Sequence, residues 1–211
     1  LGEEVDLRPV ADFAAGLTAL SGPVRVDKGT APLAVADLLR SAGVEVVWGD
    51  DPCRLPKACK NAAEIAATRE AHLRDGAAMV EFLRWLDEAS PSGGLTEISV
   101  VQALEGFRRA TNALHDISFD TICGSGPNGA IMHYRVTEET NRPVAQNELL
   151  LVDSGAQYLD GTTDITRTLP VGSVPDDYRR RFTLVLKGMI AISTLRFPQG
   201  TTGAEIDAFA R

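Results

Sequence analysis

The sequence predicts a mixed α/β chain in two parts, and three observations predict it. A strand–helix–strand pattern occupies residues 24–48. A link containing two prolines separates it from helical segments that extend from Asn61 to Leu114, with one break. Beyond Phe119 the apolar period changes from helical to alternating, and it turns helical again only at Asp176.

Residues 1–23 read as a ragged lead-in with helical pieces, and Val24–Asp27 reads as a short strand. Ala31–Ala42 has helical spacing, with Leu33, Val35, Leu38 and Leu39 apolar and Pro32 suited to a first turn. Gly43 ends that helix, and Val44–Trp48 reads as a buried strand. These three elements make a β-α-β unit. Residues 49–60, with Pro52, Pro56 and several charges, read as a linker. Asn61 is a candidate cap, with Glu64 three residues on, for a helix reaching about Ala89. Pro91-Ser-Gly-Gly breaks it, and Thr96 caps a second helix over Glu97–Leu114. Strands are expected at Phe119–Cys123, Ala130–Val136, Glu148–Asp153 and Thr163–Leu169. A helix over Asp176–Phe197 stops at Pro198-Gln-Gly, and a further helical pattern begins at Gly203.

Composition narrows the function. The 211 residues are 44% hydrophobic and 24% charged, ordinary for a globular protein with a sizeable core. A net charge of −8 argues against nucleic acid and against an anionic membrane surface as partners. No apolar run reaches a membrane-spanning length, and no signal-peptide pattern opens the chain. Three cysteines form no disulfide framework, and Cys53 and Cys59 stand too far apart for a redox pair, so reduced cytosolic thiols are expected.

The segment 148–168 carries the chemistry. An apolar run ends in Asp153, a turn-rich stretch follows, and a second β-type run begins around Asp164, eleven positions on. Folded as a hairpin, the segment brings the two carboxylates to the same level on neighbouring strands. Two ionised carboxylates held together repel, and burying them is costly unless a cation compensates. A divalent metal site follows, since oxygen ligands suit manganese, magnesium or zinc. Ser154-Gly155 is expected to let the backbone turn tightly. Alternation in Thr-Thr-Asp-Ile-Thr-Arg-Thr puts Asp164, Thr166 and Thr168 on one face. Asp160, in Leu-Asp-Gly-Thr, reads as a turn residue rather than a ligand.

Other motifs weigh less. His133, in an apolar strand after a glycine-rich turn, is a candidate site residue, whereas His72 and His115 read as structural or solvated. Gly124-Ser-Gly-Pro-Asn-Gly lacks the Lys-Ser/Thr ending and following helix of a phosphate loop. Ser154 has no Gly-x-Ser-x-Gly frame and is not read as a nucleophile.

Taken together, Gly-Pro-Asn-Gly-Ala-Ile-Met-His-Tyr at 126–134, Glu-Thr-Asn-Arg at 139–142, Leu-Val-Asp-Ser-Gly-Ala-Gln-Tyr at 151–158 and Asp-Gly-Thr-Thr-Asp-Ile-Thr-Arg-Thr at 160–168 resemble the Xaa-Pro aminopeptidases (aminopeptidase P) of the creatinase/methionine-aminopeptidase, or pita-bread, superfamily. The likeness runs from about Cys59 to the end. It implies that residues 1–56 end a non-catalytic, creatinase-like N-terminal α/β domain, and that 57–211 are the N-terminal half of a pita-bread peptidase domain. The implied activity removes the N-terminal residue from peptides with proline second. The implied cofactors are two divalent ions, manganese first, with zinc or cobalt as alternatives. Of the family's five ligands, two Asp match Asp153, binding one metal through both oxygens, and Asp164, bridging the pair. His133 matches the histidine that contacts the bound peptide. The family's metal His and two Glu are expected beyond Arg211. The implied partners are proline-containing peptides, with neither nucleic acid nor membrane, and the implied full-length form is a cytoplasmic homodimer.

The chain opens at Leu1 rather than Met and stops at Arg211 within a helical pattern, so a piece of a longer protein, inactive by itself, is expected. Within the same fold the alternatives are a prolidase or a metal-free creatinase-type hydrolase, and the two Asp speak against the latter. The alternative of another class is a non-catalytic binding module.

Overall fold

A computed structural model describes residues 5–211 and divides the chain at Ala62/Ala63 into two compact units. What is expected of residues 1–4 lies outside the described residues.

In the first unit a short 3-10 turn over Val10–Asp12 leads into helix α1, Phe13–Thr18. Strand β1 is Val24–Val26, helix α2 is Leu33–Ser41, and strand β2 is Val46–Trp48, paired parallel to β1. Pro32 stands at the N-cap of α2, and Gly43 closes it at φ +74°, a left-handed value that glycine adopts without penalty. Val26, Leu39 and Val44 form the buried centre of this β-α-β unit. Two expectations need correction. Strand β2 is not buried: Val47 and Trp48 are 40% and 44% exposed, because one helix covers one face of a two-stranded sheet. The link is not structureless either, since helix α3 occupies Arg54–Ala58. Asp51 accepts the Cys53 N–H at 2.8 Å, and Pro56 falls within the first turn, where its missing N–H costs little.

The second unit is built on two helices and an antiparallel sheet. Helix α4 runs Ala62–Ala89 and helix α5 runs Glu97–Ala110. The Thr96 hydroxyl accepts the Ser99 N–H at 3.2 Å, and the Ser99 hydroxyl accepts the Thr96 N–H at 2.8 Å, a reciprocal cap. Strands β3 (Leu114–Ser125), β4 (Glu148–Tyr158) and β5 (Ile165–Val171) pair in that order. Helix α6 spans Asp176–Thr194 and α7 spans Gly203–Ile206. Met79, Phe82 and Leu86 of α4 and Val100 and Leu104 of α5 pack on Cys123, Leu150, Val152 and Val171 of the sheet. Burial alternates along β4, so Leu150, Val152 and Ser154 face the helices while Leu151 and Asp153 face the other way. Burial, then the nearby Glu97 charge, push the Cys123 thiol up to about 12, so it is an inert core residue.

Three strand expectations are also corrected. β4 does not end at Asp153; Ala156 and Tyr158 are buried, and their packing carries the strand five residues further. Gly155 therefore lies inside the strand, not in a turn. A β-carbon there would collide with the Ser118 hydroxyl and the Thr163 carbonyl, so glycine is required for close approach. Ala130–Val136 is not a strand. A 3-10 turn covers Gly126–Ala130, and a turn closed by Tyr134 N–H on Ile131 O at 3.1 Å follows it.

A buried polar network ties helices to sheet. Asp75 and Arg108, both fully buried, pair at 2.8 Å (Nε to Oδ1) and 3.1 Å (Nη2 to Oδ2). The Tyr158 hydroxyl donates to Asp75 Oδ1 at 2.9 Å and the Thr163 hydroxyl to Oδ2 at 2.7 Å. Burial opposes ionisation of Asp75, but Arg108 and the two hydroxyls outweigh it and hold the carboxyl below its ordinary value. Burial first, then Asp75, push the Tyr158 phenol up to about 12. Asp160, as expected, is structural: it accepts both Nη groups of Arg74 at 3.0 and 2.9 Å.

Candidate functional site

The outward face of β4 and β5 brings Asp153 and Asp164 to one cavity of about 410 Å³. They are not at the same level, as a simple hairpin would have them. Asp153 pairs with Thr166 and Ser154 with Ile165, so Asp164, just before β5, sits one diagonal step from Asp153. On a sheet such diagonal neighbours share a face. Gly155, on the same face as Asp153, places no side chain between the carboxylates. The Thr166 hydroxyl donates to Asp153 Oδ1 at 2.8 Å, which orients that carboxylate.

His133 lines the same cavity, but from a turn rather than a strand. Its φ is +56°, in the left-handed region that non-glycine residues seldom adopt and that clusters at functional sites. Beside it a second recess of about 320 Å³ is lined by His133, Asp153, Thr166 and Met132. His72 and His115 lie elsewhere: the His72 ring bonds the Thr68 carbonyl on its own helix, and His115 lines a separate recess with Asp160.

Sequence reasoning missed three lining residues that bear on the chemistry. Asp120 lies where the β3–β4 register breaks between Phe119 and Ile122. Such irregularities re-aim side chains beside sites. Arg135 lines the cavity and forms an ion pair with Asp120. Phe119 gives the wall an apolar part.

Behind the cavity lies a second centre that sequence reasoning read only as the first residue of a helix. Glu97 is fully buried and accepts from Ser125 N–H at 2.7 Å, Asn128 Nδ2 at 3.0 and 3.2 Å, and Arg142 N–H at 3.0 Å. The Tyr134 hydroxyl lies 3.0 Å from its Oε2. Burial chiefly, and Glu97 in addition, raise the Tyr134 phenol above its ordinary value, while Thr140 opposes them. Arg142 is itself paired with Glu148 at 2.7 and 3.1 Å.

The donor chemistry at the cavity fits a hard divalent cation in kind. Two carboxylates share a face, and the arginine of the lining is committed to Asp120. It is incomplete in number: among the described residues no group of three or more His, Cys, Asp or Glu side chains is arranged to hold a metal ion. Among the described residues, too, no helix is long and apolar enough to cross a membrane.

Known proteins of this kind exist. The chain is 41% identical over 217 residues to a probable Xaa-Pro aminopeptidase P of Laccaria bicolor, a match covering 99% of this chain and 34% of that protein. It is 40% identical over 222 residues to a probable Xaa-Pro aminopeptidase P of Aspergillus clavatus, again 34% of the relative. The chain thus spans about a third of the length of the curated relatives it matches. Among solved structures, an X-prolyl aminopeptidase from Caenorhabditis elegans, described as a cytosolic enzyme with a di-nuclear active site, superposes with a TM-score of 0.81 at 32% identity. That match covers 96% of this chain and 34% of the other. The prolidase of Pyrococcus horikoshii, at 23% identity and a TM-score of 0.76 over 97% of this chain and 56% of its own, shares the fold. The fold is the pita-bread type that the sequence resemblance implies. The model of metallopeptidase family M24 matches residues 66–211, well over half of the sequence, and the chain belongs to that family.

Proposed function

We propose that this chain forms part of a dimetal Xaa-Pro aminopeptidase, an enzyme that removes the N-terminal residue from peptides with proline second. The observation that carries the reading is the convergence of Asp153, Asp164 and His133 on one cavity, in a chain 41% identical to a probable Xaa-Pro aminopeptidase P. In this reading residues 1–56 end a non-catalytic domain, and 57–211 supply the first half of the peptidase domain.

Asp153 and Asp164 are the residues that hold the divalent ions, proposed to be manganese, with the other ligands coming from protein outside these 211 residues. When bound, such a pair of ions lowers the pKa of a water and polarises a carbonyl. Thr166 fixes the Asp153 carboxylate through its hydroxyl. His133, exposed and lining the same cavity, donates a ring N–H to a substrate carbonyl or developing oxyanion. The Asp120–Arg135 pair lines the same cavity and bounds the space for the peptide. The substrate partners are proline-containing peptides. The full-length form is proposed to be a cytoplasmic homodimer.

The test is a substrate-length series on the full-length gene product, with Xaa-Pro dipeptides, tripeptides and longer peptides and matched peptides lacking proline. Cleavage before proline in tripeptides and longer peptides is expected. Activity confined to dipeptides would replace the reading with a prolidase, and no cleavage of any peptide would refute it.

A further inference from the structure

The loop between β3 and β4 begins at Ser125, ends near Glu148, and contains no helix or strand after Ala130. It nevertheless presents His133 in a left-handed conformation that is uncommon for a residue with a β-carbon. Such a conformation persists only where the surroundings over-determine it. Glu97 is where that determination gathers. Its two oxygens hold the loop at its start through Ser125 N–H, in its first turn through Asn128, and at its far side through Arg142 N–H. The Glu97 N–H returns the bond to Arg142 O at 3.0 Å. A negative charge is favoured at this point, since Glu97 is the first residue of α5 and faces the positive end of the helix dipole.

The fourth attachment is the one that reaches the cavity. Tyr134, adjacent to His133 and 7% exposed, puts its hydroxyl 3.0 Å from Glu97 Oε2 and 3.1 Å from Thr140 O, and accepts from Asn128 Nδ2 at 2.9 Å. The chain at 133–134 thus lines the cavity with an exposed His133 and with a buried Tyr134 whose hydroxyl is anchored on Glu97. We infer that Tyr134, held by Glu97 and Asn128, is a positioning residue: its anchored ring fixes the turn that turns His133 toward the substrate. The inference rests on the reading of His133 as a substrate contact, and it adds the residues through which that contact is aimed. Asp153 on β4 and Asp164 just before β5 stand outside this loop, so metal binding is separate from the effect.

A double-mutant cycle in the full-length gene product tests it, with Xaa-Pro tripeptide hydrolysis, bound metal by elemental analysis and thermal melting measured on each variant. His133→Ala is expected to lower kcat/KM by about 10²–10³. Tyr134→Phe, which deletes only the hydroxyl, is expected to lower it by about tenfold to a hundredfold through misplacement, with the metal content unchanged. In the His133→Ala background the same Tyr134→Phe change should cost less than about twofold, because its route to the substrate is gone. Asn128→Ala, which withdraws the amide from both Glu97 and Tyr134, should repeat the pattern and serves if Tyr134→Phe melts. Equal losses in both backgrounds would overturn the positioning role and leave the site reading standing. A His133→Ala enzyme as active as wild type would overturn the role of His133 and this inference with it.

Discussion

Asp75→Asn is the substitution whose cost the structure defines best. The side chain keeps its shape, but one of its two oxygens becomes an amide nitrogen that cannot accept. If that atom replaces Oδ1, the bonds from Arg108 Nε at 2.8 Å and the Tyr158 hydroxyl at 2.9 Å are lost. If it replaces Oδ2, those from Arg108 Nη2 at 3.1 Å and the Thr163 hydroxyl at 2.7 Å are lost. In either orientation the Arg108 guanidinium, fully buried, remains charged with no counter-ion. Removing one partner of a buried pair costs about 3–5 kcal/mol, a large share of the roughly 5–15 kcal/mol that holds a domain together. With a urea slope of about 2 kcal/mol per molar, the unfolding midpoint should fall by about 1.5–2.5 M. The pH dependence has a definite sign. The Asp75 carboxyl is depressed in the fold, so its contribution is complete above its unfolded value of 3.8 and is lost as pH falls through the lower folded value. Wild type should therefore lose this part of its stability only below about pH 3.8, and Asp75→Asn should lack that component of the acid transition. An Asn variant within about 0.5 kcal/mol of wild type would refute the reasoning, since that is the range of ordinary surface changes.

Gly155→Ala forces a methyl against the Ser118 hydroxyl and the Thr163 carbonyl, and should lower stability by about 1–3 kcal/mol in a thermal melt; an unchanged melting temperature would contradict the close approach. Thr96→Ala removes the reciprocal cap of α5 and should cost about 1 kcal/mol by urea unfolding, whereas Thr96→Ser should cost little. The 211-residue chain alone should bind manganese or zinc weakly in calorimetric titration, because two carboxylates leave most coordination positions to water. Tight binding of two equivalents would show that these residues contain more of the site than Asp153 and Asp164.

Local signals made much of the fold legible. The β-α-β unit follows from Pro32, Gly43 and two apolar runs, α4 begins directly after Asn61, and Thr96 caps α5. The misreadings occur where distant contacts override local pattern. Ala130–Val136 alternates like a strand, yet the bonds of Tyr134 to Glu97 and Thr140 fold it into a turn. Asp153-Ser-Gly looks like a strand end, yet the burial of Ala156 and Tyr158 carries the strand past it. The site divides in the same way. Asp153 and Asp164 stand out because their segment is short and its periods are clear. Their diagonal offset depends on register, which spacing alone does not set. Glu97 gathers its donors from positions 28–45 residues away, and nothing near it in the chain announces that role.

Asp153 and Asp164 are proposed to hold catalytic metal together. Elemental analysis of the full-length gene product beside Asp153→Asn and Asp164→Asn, with Xaa-Pro hydrolysis measured on the same samples, tests it most directly. Bound divalent metal is expected in the parent, and its loss together with activity in each folded variant. Full metal content and turnover in either folded variant would contradict it.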